Sequence, residues 1–117
     1  MSDCVFCKIV SGQIPAKIVY EDSQVIAFHD LHPVAPVHVL IVPRHHAGDI
    51  LELARDPEGC AVMAAVLQAV PQVAGCLGVA DGGFRLINNC GENGGQTVRH
   101  VHFHLIGGSR LGPRMAL

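Results

Sequence analysis

The 117-residue sequence has no tryptophan and few other aromatic residues, namely four phenylalanines and one tyrosine. Because half of the residues are hydrophobic, the core must be built mainly from aliphatic and small side chains. Charged residues make up only 15% of the chain, and the formal net charge is −2 at pH 7 without a basic run. This balance argues against non-specific nucleic-acid binding, which needs clustered positive charge against the phosphates.

Long apolar runs and export signals are also missing on inspection of the sequence. We find no apolar run of membrane-spanning length, and the start Met1-Ser2-Asp3-Cys4 lacks the basic residues that open a secretory signal. The length suits one domain with a buried core. We therefore expect a single domain over residues 1–117 that is cytoplasmic and has no membrane partner.

The five cysteines are an odd number and suggest no disulfide framework. Cys4 and Cys7 form a Cys-x-x-Cys pair, which indicates metal or redox chemistry. A thioredoxin-like role is disfavoured because that motif follows a strand within a βαβ unit, and no strand precedes the pair here. A reduced pair without metal is the alternative, and we interpret the other three cysteines as small apolar side chains.

The strongest pattern is an alternation near the carboxyl end, where His100, His102 and His104 are separated by single apolar residues. In a strand, alternate side chains leave the same face, so we expect three imidazoles on one face and apolar residues on the other. On a helix the same spacing would place them on different sides. Imidazole suits proton transfer, nucleophilic attack or metal binding near neutral pH. A surface histidine ladder or a tag is the alternative, although a tag has no interleaved apolar residues.

The remaining pattern predicts an α+β fold with a five-stranded antiparallel sheet, a short N-terminal helix and one long helix. Asp56 is expected to cap the long helix, which runs from Pro57 to Leu77 and should be kinked or ended early by Pro71. Gly78 is a plausible C-cap. The other predicted elements are a helix within 4–10, strands over 18–21, 25–28, 37–42, 84–89 and 100–106, and a short helix over 50–53 capped by Asp49.

A glycine-rich loop from Gly91 to Thr97 directly precedes the histidines. Glycines allow backbone N–H groups to approach a phosphate closely, and the Gln96 amide and Thr97 hydroxyl add neutral donors. A phosphate-binding loop next to histidines indicates phosphoryl or nucleotidyl transfer. A plain surface turn is the alternative, because such a loop is a weak signal by itself.

Together these residues resemble the histidine triad (HIT) superfamily, whose signature His-φ-His-φ-His-φ-φ matches residues 100–106. The resemblance covers about residues 4–108, and is strongest to the nucleotide-binding branch that hydrolyses purine nucleoside phosphoramidates. One departure is the tail after Gly108, which lacks the Trp-Pro-Pro ending of related proteins. Because that ending helps to determine leaving-group specificity in those proteins, the resemblance does not specify the leaving group of the substrate. The other matching blocks are Phe28-His29-Asp30, Ala35-Pro36-Val37-His38, Ile41-Val42-Pro43-Arg44-His45-His46 and Gly94-Gly95-Gln96-Thr97-Val98.

The resemblance implies a set of catalytic histidines. His102 would be the nucleophile that attacks the α-phosphorus, after which water releases the nucleoside monophosphate, AMP for an adenosine substrate, from a nucleotidyl-histidine. His104 would bind phosphate oxygens and help to transfer protons. His38 would complete the proton relay around His102, with a purely structural sheet histidine as the alternative.

The resemblance also implies a nucleotide-binding set for a purine nucleotide substrate. Asp30 would accept the ribose hydroxyls, as carboxylates do in nucleotide sites, although an Asx turn before Pro33 is the alternative. The rest of the set is Leu31 for the base, with Phe6, Ile9 and Ile26 as further apolar candidates, Asn89 for phosphate or ribose, Gly95, Gln96 and Thr97 for the phosphate and leaving group, and His102 and His104.

A structural zinc site and a homodimer are further implications of the resemblance. Several relatives with the N-terminal cysteine pair bind a structural zinc. The resemblance implies that its ligands here would be Cys4, Cys7, His46 and His100, with His45 as the alternative to His46. In such a site His100 is structural, and only His102 and His104 serve catalysis. The long helix and the fourth strand form the dimer interface in the family.

Three other functions stay open at the level of sequence. A dinucleoside polyphosphate hydrolase of the same superfamily would use His102 in the same way. A nucleotide-binding interaction protein would show only incidental hydrolysis. A zinc-storage or zinc-sensing module would depend on the metal directly for its function.

Overall fold

The structure, a computed structural model, describes residues 4–113 as an α+β fold around one five-stranded antiparallel sheet. The strand order is β1-β2-β3-β5-β4, and each neighbouring pair is antiparallel. This confirms the predicted fold class. The elements are α1 (Val5–Val10), β1 (Ile18–Glu21), β2 (Val25–His29), β3 (Val37–Pro43), α2 (Ile50–Arg55), α3 (Gly59–Leu77), β4 (Phe84–Ile87) and β5 (Phe103–Gly107).

The two faces of the sheet pack against different helices, as the alternation of side chains predicts. Odd-numbered residues of β3 and β5, such as Val39 and Leu105, join Val66 and Ala69 of α3 in the larger core cluster. The opposite face is covered by α1, which places the even-numbered histidines on the α1 side. The smaller cluster on that side consists of Phe6, Ile26, Phe28, Leu40 and Val42.

The histidine segment is less regular than the sequence predicts. β5 begins at Phe103, so His100 and His102 lie before the strand and only His104 lies within it. The backbone N–H of Val101 donates to the carbonyl of Ala47, 2.7 Å away, and this bond to the turn after β3 replaces a ladder bond. Val101 still packs in the α3 cluster, so the division between faces holds without a continuous strand.

The junction of α2 and α3 also differs from the prediction. Asp56 ends α2 as its C-cap, and α3 begins only at Gly59 with Glu58 as its N-cap. Asp56 instead organises the turn between the helices: its Oδ1 accepts the N–H of Glu58 at 2.8 Å, and its Oδ2 contacts His45 Nε2 at 2.6 Å. The predicted start at Pro57 was wrong because this turn is needed to redirect the chain.

α3 continues through Pro71 to Leu77, where Gly78 ends it with a left-handed φ of 70°. Of the two effects predicted for Pro71, a kink or an early end, the early end was wrong. A proline removes the N–H that would bond the carbonyl four residues earlier, which belongs to Leu67 here. Both residues lie on the exposed side of the helix, where water can bond that carbonyl.

α3 is apolar on average, although no uninterrupted apolar run of membrane-spanning length occurs in it. Among residues 4–113 it is the one helix whose length and composition would allow a crossing, with a mean hydropathy of 1.7. Its valines and alanines raise the mean although polar residues interrupt the run. A core helix of a globular domain has the same properties, and α3 covers one face of the sheet.

We expect Gly59→Ala to destabilise the protein, because a Cβ at this position would lie 2.0 Å from the carbonyl oxygen of Leu53. The loss should exceed about 2 kcal/mol of unfolding free energy, as typical for overpacking against backbone. Gly75→Ala in the same helix is the matched control, since its Cβ would meet nothing within 4 Å. Alanine there should be neutral or stabilising by up to about 1 kcal/mol. Urea unfolding measures both, and equal midpoints would contradict the expectation.

Candidate active site and metal centre

β3 and β5 bring two histidines side by side. His38 lies opposite Ile106 and His104 lies opposite Leu40 in the antiparallel pairing. The Nε2 of His38 is 2.9 Å from the Nδ1 of His104, and Asp30 Oδ2 is 3.4 Å from the same Nε2. The structure therefore places three of the predicted site residues in one cluster.

The hydrogen bonds of this cluster define which nitrogen carries each proton. The backbone N–H of Val34 donates to His38 Nδ1 at 3.1 Å, so the neutral ring of His38 has its proton on Nε2. That Nε2–H donates to the Nδ1 of His104, and the neutral ring of His104 then has its proton on its own Nε2. His104 consequently presents an N–H donor on the side away from His38.

Burial keeps these imidazoles neutral at pH 7. It lowers the pKa of His38, and it lowers the pKa of His104 to about 4 with the help of the neighbouring His102 and His38. The negative charge of Asp30 acts in the opposite direction on both rings, but more weakly. The contact between His38 and Asp30 therefore joins a neutral ring to a carboxylate and is not an ion pair at pH 7.

The same three side chains also have the spacing of a metal site, with ligand atoms within 4.8 Å of one another. The proton positions argue against this use. Because His38 Nδ1 already accepts the N–H of Val34, a metal on Nε2 would require the ring to lose its last proton. The cluster therefore fits a chain of proton transfers better than metal binding.

His102 lies next to this cluster and is only 4% exposed. Its Nδ1–H donates to the carbonyl of His100 at 2.7 Å, so in the neutral ring the lone pair is on Nε2. Within residues 4–113 this Nε2 has no hydrogen-bond partner. Every described side-chain nitrogen that is fully buried does have a partner, so the Nε2 of His102 must be accessible to solvent. Burial lowers the pKa of His102, which keeps the lone pair available at neutral pH.

Two further residues contact His102 or its backbone: Phe6, which was predicted as a contact of the base, and Asn88, which lies outside the predicted set. The ring of Phe6 stands perpendicular to the imidazole, with 5.0 Å between the centroids. The Nδ2 of Asn88 donates to the carbonyl of His102 at 2.9 Å. Asn88 directly follows β4, so this side chain connects β4 to the histidine segment beyond the last ladder pair, Ile87 and His104. A polar residue at the end of a strand was the only sequence signal for it.

The glycine loop is held mainly by its own glutamine. The Oε1 of Gln96 accepts the N–H of Gly91 at 2.9 Å, and its Nε2 donates to the carbonyls of Gly48 and Val98 at 2.6 and 2.8 Å. The N–H of Gly95 is also used within the loop, where it donates to Glu92. The carboxamide of Gln96 is thus committed to backbone groups, and its direct contact with phosphate stays a prediction.

The other predicted nucleotide-binding residues differ in their exposure and in whether their side chains already have hydrogen-bond partners. Asn89 is half-buried and Thr97 is exposed, and within residues 4–113 their side chains have no hydrogen-bond partner. Asp30 Oδ1 accepts the N–H of His32 at 2.8 Å, as in an Asx turn. Leu31 is 87% exposed, which leaves its side chain available for contact with a base.

Four side chains from three parts of the chain form a second cluster, here called the metal centre: Cys4, Cys7, His46 and His100. His100 Nδ1 lies 3.4 Å from Cys4 Sγ, 3.5 Å from Cys7 Sγ and 3.1 Å from His46 Nδ1. Cys7 Sγ and His46 Nδ1 are 3.2 Å apart. Tetrahedral zinc, with bonds of about 2.3 Å to sulfur and about 2.0–2.1 Å to nitrogen, holds its ligand atoms about 3.3–3.8 Å apart. The distances of 3.4 and 3.5 Å lie in this range and those of 3.1 and 3.2 Å are slightly shorter, so a small outward shift of the His46 ring would let the cluster hold such an ion.

The proton states of the centre also suit a cation. His100 Nε2 donates to the carbonyl of Pro43 at 2.7 Å, which directs the Nδ1 lone pair at the other three ligand atoms. Burial lowers the pKa of His100 to about 4, so this ring stays neutral. Burial raises the pKa of the Cys7 thiol to about 11, and a bound cation would reverse this shift by deprotonating the thiol.

His45, the alternative ligand, lies outside this group of four. Its Nε2 is 2.6 Å from Asp56 Oδ2 at the junction of α2 and α3. The geometry therefore favours His46 over His45 as the fourth member of the centre.

The fold and the site define a small α+β protein with a cluster of neighbouring histidines and a separate Cys/His centre. The HIT domain model matches residues 11–111, and the chain belongs to the HIT family. The purine nucleoside phosphoramidase of Escherichia coli K12 is 38% identical over 114 residues, which cover 97% of this chain and 94% of the relative. A HIT family hydrolase from Clostridium thermocellum superposes with a TM-score of 0.93, at 44% identity over 99% of both chains. A histidine triad protein from Clostridium difficile gives a TM-score of 0.92, at 40% identity over 98% of both chains.

Proposed function

We propose that this protein hydrolyses purine nucleoside 5′-phosphoramidates through a nucleotidyl-histidine intermediate on His102. The observation that carries the proposal is the pair of complementary proton states at neighbouring rings. His102 has a lone pair on Nε2, His104 has an N–H on Nε2, and the ring centroids are 5.3 Å apart. The phosphoramidase named among the relatives supports the choice of a phosphorus–nitrogen bond.

In the first step, the Nε2 of His102 attacks the α-phosphorus and forms a nitrogen–phosphorus bond. The bond from phosphorus to the leaving nitrogen breaks, and its electron pair stays on that nitrogen. When the anionic substrate binds, its negative charge raises the pKa of the adjacent His104, which takes up a proton from solvent. His104 then donates its Nε2 proton to the leaving nitrogen. The carboxylate of Asp30, which raises the pKa of His38, His102 and His104, stabilises the positive charge of the intermediate.

In the second step, water attacks the phosphorus of the intermediate. The now neutral His104 accepts a proton from the water, and the nitrogen–phosphorus bond breaks with its electron pair returning to His102 Nε2. The Nδ1–H of His102 stays bonded to the carbonyl of His100 throughout, so the nucleotidyl group leaves from a cationic ring. The product is the nucleoside monophosphate.

We assign the substrate contacts to the groups that have no partner within residues 4–113. The Thr97 hydroxyl and the Asn89 amide would bind phosphate or ribose, and Leu31 would contact the base. Asp30 would accept a ribose hydroxyl on an oxygen that also contacts His38. The predicted Gly95 and Gln96 would shape the loop behind the phosphate.

Incubation with adenosine 5′-phosphoramidate followed by mass spectrometry tests the activity directly. We expect AMP and ammonia as products, and protein quenched during turnover should carry one adenylyl group on His102. Diadenosine polyphosphates are the comparison substrates, because the alternative hydrolase would release AMP together with ADP or ATP from them. Faster turnover of the dinucleotides, or no adenylylation with either substrate, would contradict the proposal.

The pH dependence of kcat/KM should have its acid limb below pH 6.5. Attack requires a neutral His102, and burial lowers the pKa of this ring from 6.5, so activity persists on acidification and is lost only as pH falls through the lowered pKa. Asp30→Asn should move the limb to still lower pH, because the carboxylate raises the pKa of this ring. Rate profiles of both proteins measure this, and an acid limb above pH 7 would refute it.

We propose that the metal centre binds one structural zinc ion through Cys4, Cys7, His46 and His100. When bound, the ion supplies a cross-link that holds α1 on the sheet, without an open position for chemistry. A reducing, cytoplasmic location would suit a centre that needs two free thiols.

We propose that two copies of the chain pair through α3 and β4. Leu67 on α3 is 70% exposed, and Phe84 and Leu86 on the edge strand β4 are 36% and 42% exposed. Exposed apolar side chains on a helix and an open sheet edge are the kinds of surface that another chain covers. We expect a dimer by light scattering, and a monomer after Leu67→Glu. Leu51→Glu on α2, where the leucine is 53% exposed, is the matched control and should leave the dimer intact; a monomeric wild type would overturn the pairing.

A further inference from the structure

The short helix α1 belongs to both clusters of the site. Cys4 caps the start of α1 and Cys7 lies within it, so two members of the metal centre flank Phe6. The centroid of the Phe6 ring lies 5.0 Å from that of His102, with an angle of 90° between the ring planes. For Phe6 and His100 the centroid distance is 6.0 Å and the angle is 67°. Where the centre holds α1, it also sets the position of the aromatic ring against the nucleophile.

His100 provides a second connection between the same two clusters. Its Nδ1 faces the metal centre, its Nε2 donates to the carbonyl of Pro43, and its own carbonyl accepts the Nδ1–H of His102. When its ring is held in place, His100 also holds its backbone carbonyl in place. That carbonyl is the acceptor that determines the tautomer of His102.

We propose that the metal centre positions the nucleophile, with Phe6 as the positioning residue that transmits its occupancy to His102. The inference rests on the proposed function only for the identity of the chemical step. An imidazole has two faces, and the perpendicular packing of Phe6 restricts rotation of the ring while Nδ1 stays on the His100 carbonyl. The Nε2 lone pair is then held in one direction before substrate arrives.

This assigns the ion a kinetic role in addition to a stabilising one. A displacement of about 1 Å at a reacting atom can cost about 100-fold in rate. Loss of the ion frees α1 and with it Phe6, so the attack should slow while nucleotide contacts on the loops remain. A role in stability alone would leave the rate of attack in the folded protein unchanged.

A double-perturbation cycle tests this coupling. The rate of adenylylation of His102 by adenosine 5′-phosphoramidate is measured in single turnover for zinc-loaded and chelator-stripped wild type and Phe6→Leu. Stripping the wild type should slow adenylylation about 10–100-fold, and Phe6→Leu should cause most of that loss with zinc still bound. Stripping the variant should then change the rate less than threefold. If removing zinc slows the variant by the same factor as the wild type, the two losses are independent and the proposal is overturned.

Two further measurements separate positioning from other roles of Phe6. AMP affinity should change less than threefold on stripping or in Phe6→Leu, whereas a loss of affinity with an unchanged rate would make Phe6 a base contact and contradict the proposal. Val42→Ala is the control for core damage, because Val42 is fully buried in the same cluster but belongs to β3. It should lower stability without slowing adenylylation more than threefold.

A readout without substrate keeps the test independent of the proposed function. Long-range ¹H–¹⁵N spectra at pH 8 report which nitrogen of His102 carries the proton. Zinc-loaded wild type should show one tautomer protonated at Nδ1, and stripped wild type or zinc-loaded Phe6→Leu should show a mixture. Identical His102 signals in the loaded wild type and the loaded variant would refute the inference, even if stripping unfolds the protein. A tautomer change without any adenylylation would refute only the proposed function.

Discussion

Replacing His102 by asparagine should lower kcat by about 10⁴-fold or more, as removal of a nucleophile does when no other group can form the covalent intermediate. Asparagine has no lone pair at the position of Nε2 that can attack phosphorus. The asparagine side chain is similar in size to the part of the imidazole that packs on Phe6, so the fold should persist. Steady-state hydrolysis of adenosine 5′-phosphoramidate and mass spectrometry of the quenched protein measure the loss of both turnover and adenylylation.

His32→Asn is the matched control for this substitution. His32 is an exposed histidine of the loop after β2, and its contact with Asp30 uses only the backbone N–H. The variant should keep wild-type kcat within about threefold. Adenylylation that persists in His102→Asn would assign the nucleophile to another histidine. Unchanged biological effect of an inactive, folded His102→Asn protein would favour the binding-protein alternative.

Removing the metal should lower the melting temperature by about 10–20 °C. An ion at a thousand times its dissociation constant contributes about 4 kcal/mol, and each kcal/mol shifts the melting temperature of a domain of this size by several degrees. The physical reason is that the ion links α1 to the turn after β3 and to the histidine segment, and the unfolded chain lacks this site. Thermal unfolding with and without chelator, together with one bound zinc per chain by elemental analysis, measures the effect.

Cys7→Ser should melt at the temperature of the stripped protein and no longer respond to chelator. Cys60→Ser provides the control for a change of thiol to hydroxyl, because Cys60 is exposed on α3. His46→Asn should lose the ion and His45→Asn should retain it, since His45 contacts Asp56. The opposite pattern, or a melting temperature that does not depend on chelator, would contradict the assignment of the centre.

Much of the site could be predicted because its residues lie in short local patterns. The alternation around His102 follows from the geometry of extended backbone, which holds even where Val101 leaves the ladder. The Cys4 and Cys7 pair has a ligand spacing that is recognisable before any fold is known. Asp49 is a cap from sequence alone, and its side chain accepts the N–H of Glu52 as expected.

Other contacts of the site join residues far apart in sequence, and no local pattern contains them. Asn88 bonds the carbonyl of His102, and Gln96 bonds the carbonyl of Gly48 across 48 residues. The start of α3 was misplaced because Asp56 has the chemistry of an N-cap but is used by His45 and the interhelical turn. Such choices depend on which partner the packing brings within hydrogen-bond distance.

The sequence by itself determined the types of elements, the face on which each strand residue lies, and the residues able to carry the chemistry. These depend on backbone periodicity and on side-chain type, which are properties of neighbours in the chain. Only the tertiary structure decided that His100 faces the cysteines while His104 contacts both His102 and His38. That division arises because β3 and α1 meet the histidine segment at different points, and the partner of an imidazole determines whether it binds a metal, attacks phosphorus or transfers a proton.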